Sequence, residues 1–148
     1  MGKSYYSTVL EAPAEKVWGI ARDFNGLATW FSGAISTSQI EDGKTGETVG
    51  AVRNFLFGET RIREHLLAMS DIERSYTYEF CDPAPFPVKN YCSTLRVTPI
   101  TDGDKAFVEY WTTFDCAADE LEHWTGFFAS EVFKPALDSL RAYVAGKT

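Results

Sequence analysis

Several residue types that mark particular classes of protein are scarce in this chain. Only three cysteines occur among 148 residues, Cys81, Cys92 and Cys116, and none forms a CxxC spacing. This odd number at wide separation fits neither a disulfide framework nor a zinc site, and predicts free thiols in a reducing compartment. The two histidines, His65 and His123, show no paired spacing. We therefore expect no metal and no cofactor.

Long apolar runs are also absent. No stretch of 18 consecutive apolar residues occurs, and the opening MGKSYYSTVL lacks a run of signal-peptide length, so we expect no membrane insertion. Basic residues are outnumbered, since 21 Asp and Glu against 14 Lys and Arg give a net charge of -7. This charge repels phosphate backbones and disfavours nucleic acid as a partner. Together these features predict a cytoplasmic protein.

Aromatic residues, in contrast, are abundant. The chain has 11 Phe, 7 Tyr and 4 Trp, which is more ring surface than a small core usually needs. Its length fits a single domain over residues 1–148. Oligomeric state stays open, and a homodimer is compatible with the sequence.

The order of local patterns predicts an α+β fold. A strand over residues 4–10 precedes two short helices, the first beginning near Pro13 and the second running from a cap at Asp23 to Gly33. Strand segments separated by turns such as EDGKTG and TDGD then predict an antiparallel meander. After Asp119, as N-cap, helical spacing continues to about residue 145, with a broad apolar arc and an expected kink at Pro135.

Seven segments support a more specific assignment. In chain order they are APAEKVW, RDFNGLATW, VGAVRNF, REHLLAMSD, PVKNYCSTLRV, VEYWTTF and SEVFKPALDSLRAYV. This order resembles the START-like helix-grip superfamily, which includes the birch pollen allergen, plant abscisic acid receptors and bacterial polyketide cyclase/dehydrase-type proteins. The resemblance covers nearly the whole chain. It implies a seven-stranded curved antiparallel sheet wrapped around a long C-terminal helix, two short helices after strand 1, and a ligand cavity between sheet and helix.

The resemblance also implies site residues. Positions in GAVRNF, REHL, NYCS and FVEYW match cavity-region motifs of the receptors, namely Arg53, Glu64, Tyr91, Ser93 and Glu109, and the matching helix face holds Phe128, Val132 and Ala136. Two departures disfavour a hormone-sensor role: the gating loop is shortened to Phe57-Gly58-Glu59, and Ser36 replaces a carboxylate-binding lysine. The DPAPFPVKNY loop resembles the bacterial cyclase-like (SRPBCC) branch.

Strand alternation gives an independent prediction of the concave wall. One face holds Tyr91, Ser93, Leu95 and Val97, and another holds Phe107, Glu109, Trp111 and Thr113; Glu64 shares a face with Ile62 and Leu66, and Tyr76, Tyr78 and Phe80 form an aromatic face. We expect the ligand-binding residues to be Arg53, Glu64, Tyr78, Tyr91, Ser93, Glu109, Trp111, Phe128 and Val132.

A carboxylate on such a wall needs a partner, because burying a lone charge is costly. Arg53 is the candidate cation for Glu64 and Glu109, and Tyr91 is a candidate donor. If these residues catalyse a reaction, the candidates are Glu64, Tyr91 and Glu109. A purely structural ion pair, or carboxylates in water after a one-residue slip in register, would explain the same residues.

Three functions are compatible with these patterns. The first is a binding or carrier protein for a small hydrophobic or aromatic molecule, polyketide-like or lipid-like. The second is a polyketide cyclase/dehydratase-type enzyme that uses cavity Glu, Tyr and Arg for proton transfer and oxyanion stabilisation. The third is a module that binds another protein when its cavity fills. Phe86 belongs to the proline-rich loop 82–90, which the sequence assigns either to a lid or to a partner surface.

Overall fold

The computed structural model describes residues 1–146, and there it confirms the predicted order of elements. The strands are β1 (Gly2–Leu10), β2 (Ile35–Ile40), β3 (Val52–Phe57), β4 (Thr60–Ser70), β5 (Ser75–Phe80), β6 (Lys89–Ile100) and β7 (Lys105–Asp115). Helix α1 (Ala14–Ala21) and α2 (Leu27–Trp30) follow β1, and α2 is preceded by a 3-10 turn at Phe24–Gly26 that Asp23 caps through Asn25 N. A second 3-10 turn, Glu41–Gly43, follows β2.

The strands form one antiparallel sheet in the order β1-β7-β6-β5-β4-β3-β2. Neighbours from β2 to β7 are consecutive in sequence. Short turns join β3 to β4, β4 to β5 and β6 to β7, as expected for hairpins, whereas the longer segments 41–51 and 81–88 join β2 to β3 and β5 to β6. The β6–β7 turn places Asp104 at φ 51° and Gly103 at φ 84°, a left-handed conformation that glycine adopts without steric cost. The first strand forms one edge of the sheet and pairs with β7, where Tyr5 lies opposite Trp111.

The chain ends in a helical rod, the terminal helix, that begins at Ala118 and runs to Val144. It consists of a 3-10 turn (Ala118–Glu120), α3 (Leu121–Phe127), a π-helical turn (Phe128–Phe133) and α4 (Lys134–Val144). The predicted cap at Asp119 is wrong, because that residue lies inside the first turn and no side chain caps it.

A π-helical turn precedes Pro135, where the sequence predicted a kink. Proline lacks the N–H that would continue an α-helical ladder, and i→i+5 bonding in the preceding turn accommodates its loss. In a regular α-helix, Phe128 and Phe133 would point about 140° apart. The additional residue in the turn brings both rings onto the sheet, and both are fully buried.

The core lies between the concave face of the sheet and the terminal helix. Ser4 ties β1 to that helix by donating to the Thr125 carbonyl at 2.6 Å. At the opposite end, Nε1 of Trp18 in α1 donates to Asp71 in the β4–β5 turn at 2.8 Å. In residues 1–146, no helix has both the length and the apolar character needed to cross a membrane.

Candidate ligand-binding site

A small cavity lies between the concave face and the terminal helix. Its volume is about 30 Å³, which is room for one or two water molecules. The space is this narrow because rings from distant elements nearly meet. The residues that line it are Leu27, Phe31, Ile35, Arg53, Phe55, Phe57, Ile62, Glu64, Tyr78, Phe80, Phe86, Tyr91, Tyr110, Phe128, Val132 and Ala136.

The polar centre of this cavity is an ion pair between adjacent strands. Arg53 on β3 lies directly opposite Glu64 on β4, and Nε of Arg53 donates to Oε1 of Glu64 at 2.7 Å. Arg53 is 1% exposed and Glu64 5% exposed, so both charges are held away from water. Nη1 of Arg53 also donates to the Phe24 carbonyl at 3.2 Å, while Nη2 is buried without a hydrogen-bond partner in the described chain.

Aromatic rings enclose the guanidinium of Arg53. Its Cζ lies 4.0 Å from the ring centre of Phe24 and 4.7 Å from that of Tyr78, with Phe55 and Tyr76 each at 5.7 Å. Such cation–π contacts stabilise a desolvated cation, because the electron-rich ring faces replace part of its hydration. The sequence predicted the aromatic face on β5 but not that Arg53 would be buried within it.

Burial and pairing shift the pKa values of Glu64 and Arg53 in opposite directions. Burial raises the pKa of Glu64, and the charge and hydrogen bond of Arg53 only partly offset that effect. For Arg53, burial is the largest influence and lowers the pKa, but the charge of Glu64 together with the electrostatic effects of Tyr76, Tyr110 and Tyr78 outweighs it and holds the pKa well above its usual value. The guanidinium of Arg53 therefore stays protonated. The raised pKa makes the Glu64 carboxylate easier to protonate than an exposed glutamate.

Three tyrosines complete the polar lining. The hydroxyls of Tyr78 and Tyr110 are 2.6 Å apart, in hydrogen-bond contact. Burial raises the pKa of both well above the usual value. Burial, followed by the charge of Glu64, also raises the pKa of Tyr91. All three hydroxyls are therefore neutral at physiological pH and serve as hydrogen-bond donors and acceptors rather than as bases.

The proline-rich loop between β5 and β6 contributes one ring to the cavity lining. The Phe86 ring from this loop lies 5.3 Å from the ring of Phe127 and 5.7 Å from those of Trp124 and Phe128. On its other side it meets Phe80 at 6.1 Å. The Phe86 ring is half-buried and lines the cavity.

Two predicted site residues face away from the cavity. On β7 the inward residues are Ala106, Val108, Tyr110, Thr112 and Phe114, so the prediction for Glu109 and Trp111 is wrong by one residue in register. Glu109 instead accepts from Tyr5 at 2.6 Å and from Arg96 at 2.9 Å on the outer face. Both faces of β7 carry aromatic rings, so the alternation of side chains alone does not show which face points inward.

The remaining predicted residues are placed as follows. Arg53, Glu64, Tyr78, Tyr91, Phe128 and Val132 come together around the cavity. Ser93 faces inward and is fully buried, but it lies outside the lining, and its hydroxyl donates to the Trp111 carbonyl at 2.9 Å. Tyr110 is the polar lining residue that sequence reasoning missed; the correct register of β7 would have revealed it.

Comparison with known proteins agrees with the helix-grip fold. Residues 1–145 match the family described as polyketide cyclase / dehydrase and lipid transport. No curated protein matches the chain by sequence. Among solved structures, a protein from Thermobifida fusca has 28% identity and a TM-score of 0.86, with 99% of this chain and 95% of that chain covered. A protein from Nitrosospira multiformis has 28% identity and a TM-score of 0.79, with 96% and 95% covered.

A more distant similarity is to norcoclaurine synthase from Thalictrum flavum, solved in complex with dopamine and hydroxybenzaldehyde. It has 15% identity and a TM-score of 0.77, with 99% of this chain and 87% of that chain covered, which shows a shared helix-grip fold. The match to the family over residues 1–145 is a stronger finding than this structural similarity. This chain therefore belongs to the polyketide cyclase / dehydrase and lipid transport family.

Proposed function

We propose that this protein binds a small hydrophobic or aromatic molecule, polyketide-like or lipid-like, in the cavity between the sheet and the terminal helix. Family and fold suggest a hydrophobic ligand-binding helix-grip domain. The observation that carries the finer proposal is the lining itself, in which aromatic and aliphatic side chains surround one buried ion pair. An apolar wall with a few fixed polar groups is the usual composition of a small-molecule site.

Ligand binding requires the cavity to widen, because its 30 Å³ cannot hold an aromatic ring. Phe86 is the side chain best placed to provide the room. It lies on an irregular loop, is only half-buried, and is held by ring contacts rather than by the strand ladder. When Phe86 turns outward, the space it leaves is continuous with the cavity and lined by Tyr91 and Phe128, whose rings lie 5.2 Å apart.

The polar groups favour binding over proton transfer. Among residues 1–146, Glu64 is the only carboxylate in the lining, and Arg53 already donates to one of its oxygens. Because the lining tyrosines have raised pKa values, none of them supplies a base at neutral pH. The enzymatic alternative depends on Glu64 alone, whose raised pKa would suit a proton acceptor. A substrate turned over by wild type but not by Glu64→Gln would support that alternative.

Native mass spectrometry of freshly purified protein tests the proposal directly. We expect a retained small molecule, and we expect the neutral fluorescent probe N-phenyl-1-naphthylamine to bind with an increase in emission. Ala136 lines the cavity from α4, so Ala136→Leu fills it and should weaken probe binding about tenfold or more. The matched control is Ala145→Leu, at an exposed position just after the same helix.

Two results would contradict the proposal. One is a protein that carries no compound and does not change the emission of the probe. The other is equal weakening by Ala136→Leu and Ala145→Leu, which would place the probe outside the cavity.

A further inference from the structure

One buried donor in the cavity has no hydrogen-bond partner in residues 1–146. Of the three nitrogens of Arg53, Nε bonds Glu64 at 2.7 Å and Nη1 bonds the Phe24 carbonyl at 3.2 Å. Nη2 has no hydrogen-bond partner in the described chain, although the side chain is 1% exposed. Burial raises the pKa of Tyr76, and both the charge of Arg53 and the close approach of its guanidinium to the Tyr76 hydroxyl partly offset that effect. Even so, Nη2 meets no acceptor in hydrogen-bond geometry among the described residues. A buried donor without an acceptor is costly.

The surroundings restrict how an acceptor can reach Nη2. The rings of Phe24 and Tyr78 lie 4.0 and 4.7 Å from Cζ of Arg53 and 6.0 Å from each other, so they crowd neighbouring sides of the guanidinium. An acceptor for Nη2 must lie along the direction of its N–H bonds. Arg53 lines the cavity, so the acceptor comes either from a water molecule in the free protein or from a bound molecule that displaces it.

Charge restricts the kind of acceptor. Arg53 and Glu64 already form a neutral pair, so a ligand carboxylate would add an uncompensated negative charge close to Glu64 in an apolar enclosure. A neutral oxygen adds no net charge and still accepts the hydrogen bond. The nearby tyrosine hydroxyls are neutral and therefore do not balance a second anion.

We propose that the site selects molecules with a neutral carbonyl oxygen, which accepts a hydrogen bond from Nη2 of Arg53, and discriminates against carboxylates. This inference rests on the proposed function and specifies the ligand chemistry that the same cavity takes. The apolar part of the ligand would then lie against Phe128 and Val132 on the terminal helix.

Three small probes of nearly equal shape test the inference without altering the fold: acetophenone, α-methylstyrene and benzoate. Their dissociation constants can be measured by NMR titration of the 15N-labelled protein, with the Arg53 side-chain resonances followed in parallel. In a cavity without a donor the alkene would bind more tightly than the ketone, because the ketone loses its hydrogen bonds to water. We expect acetophenone to bind at least tenfold more tightly than α-methylstyrene or benzoate, and to shift the Arg53 resonances.

The outcomes separate this inference from the proposed function. If α-methylstyrene binds as tightly as acetophenone, or benzoate binds most tightly, the selectivity is refuted while a ligand cavity remains. If none of the three shifts any resonance of the cavity lining, the proposed function and this inference fail together. If acetophenone binds most tightly but leaves Arg53 unshifted, another donor recognises the carbonyl and the assignment to Nη2 is wrong.

Discussion

Arg53 and Glu64 face each other on neighbouring strands, with Nε of one donating to Oε1 of the other over 2.7 Å inside an apolar enclosure. Two opposite charges that are buried together compensate each other, whereas either charge buried alone would strongly destabilise the fold. The ion pair therefore links β3 to β4 and also supplies the charged groups of the cavity lining.

Removing one member of this pair should be far more harmful than removing both. We expect Glu64→Leu to lower the free energy of unfolding by about 3–5 kcal/mol, because it leaves the guanidinium of Arg53 buried and uncompensated. The double variant Arg53→Met/Glu64→Leu should recover most of this loss. Urea denaturation of the single variants and the double variant gives the coupling energy; a double variant as unstable as Glu64→Leu would show that packing, not charge, dominates.

Glu41 predicts a specific response to acid. Hydrogen bonds from Arg63, at 2.7 Å to each oxygen, and from Asn54 lower the pKa of Glu41 to about 2. A carboxyl group with a depressed pKa contributes stability above its ordinary pKa of 4.5 and loses it as the pH falls toward 2. Because the group is partly exposed, we expect Glu41→Gln to cost only about 1 kcal/mol at pH 7.

Unfolding curves measured from pH 7 to pH 2 check this expectation. The difference between wild type and Glu41→Gln should shrink below pH 4.5 and nearly vanish at pH 2. Glu59→Gln is the control, since it removes one negative charge from the exposed β3–β4 turn. A difference that stays constant across this range would mean that the ion pair with Arg63 contributes nothing.

Shortening Phe86 should open the cavity mouth. We expect Phe86→Ala to speed the dissociation of N-phenyl-1-naphthylamine about fivefold or more, because it removes the ring contacts with Trp124, Phe127 and Phe128. Stopped-flow fluorescence measures that rate. Phe107→Ala removes a ring from the outer face of β7 and should leave the rate unchanged. Equal rates in wild type and Phe86→Ala would exclude the loop as the lid.

Glu109 offers a test of the corrected register. Because it faces outward and pairs with Tyr5 and Arg96, Glu109→Gln should leave probe affinity within about twofold of wild type and cost no more than about 1 kcal/mol of stability. Fluorescence titration and urea denaturation measure the two quantities. A tenfold loss of affinity would place Glu109 in contact with the ligand after all.

The sequence predicted the hairpins and most of the inner wall because turn residues and alternation are local signals. Glu64 and Tyr91 could be placed because polar neighbours alternate with the inward residues on their strands. On β7 the same reasoning failed, since Trp111 on one face and Tyr110 on the other are equally aromatic. The narrowness of the cavity could not be predicted, because it depends on rings such as Phe86 that approach from a distant loop.

The π-helical turn at Phe128–Phe133 has a consequence for how this protein can change during evolution. Deleting one residue there would restore 3.6-residue periodicity and rotate everything after the deletion by about 100°. Leu137, Leu140 and Val144, all buried beneath the sheet, would turn toward solvent together. Substitutions on the exposed side of this helix should thus accumulate freely among homologues, while its residue count between Phe128 and Val144 should stay fixed.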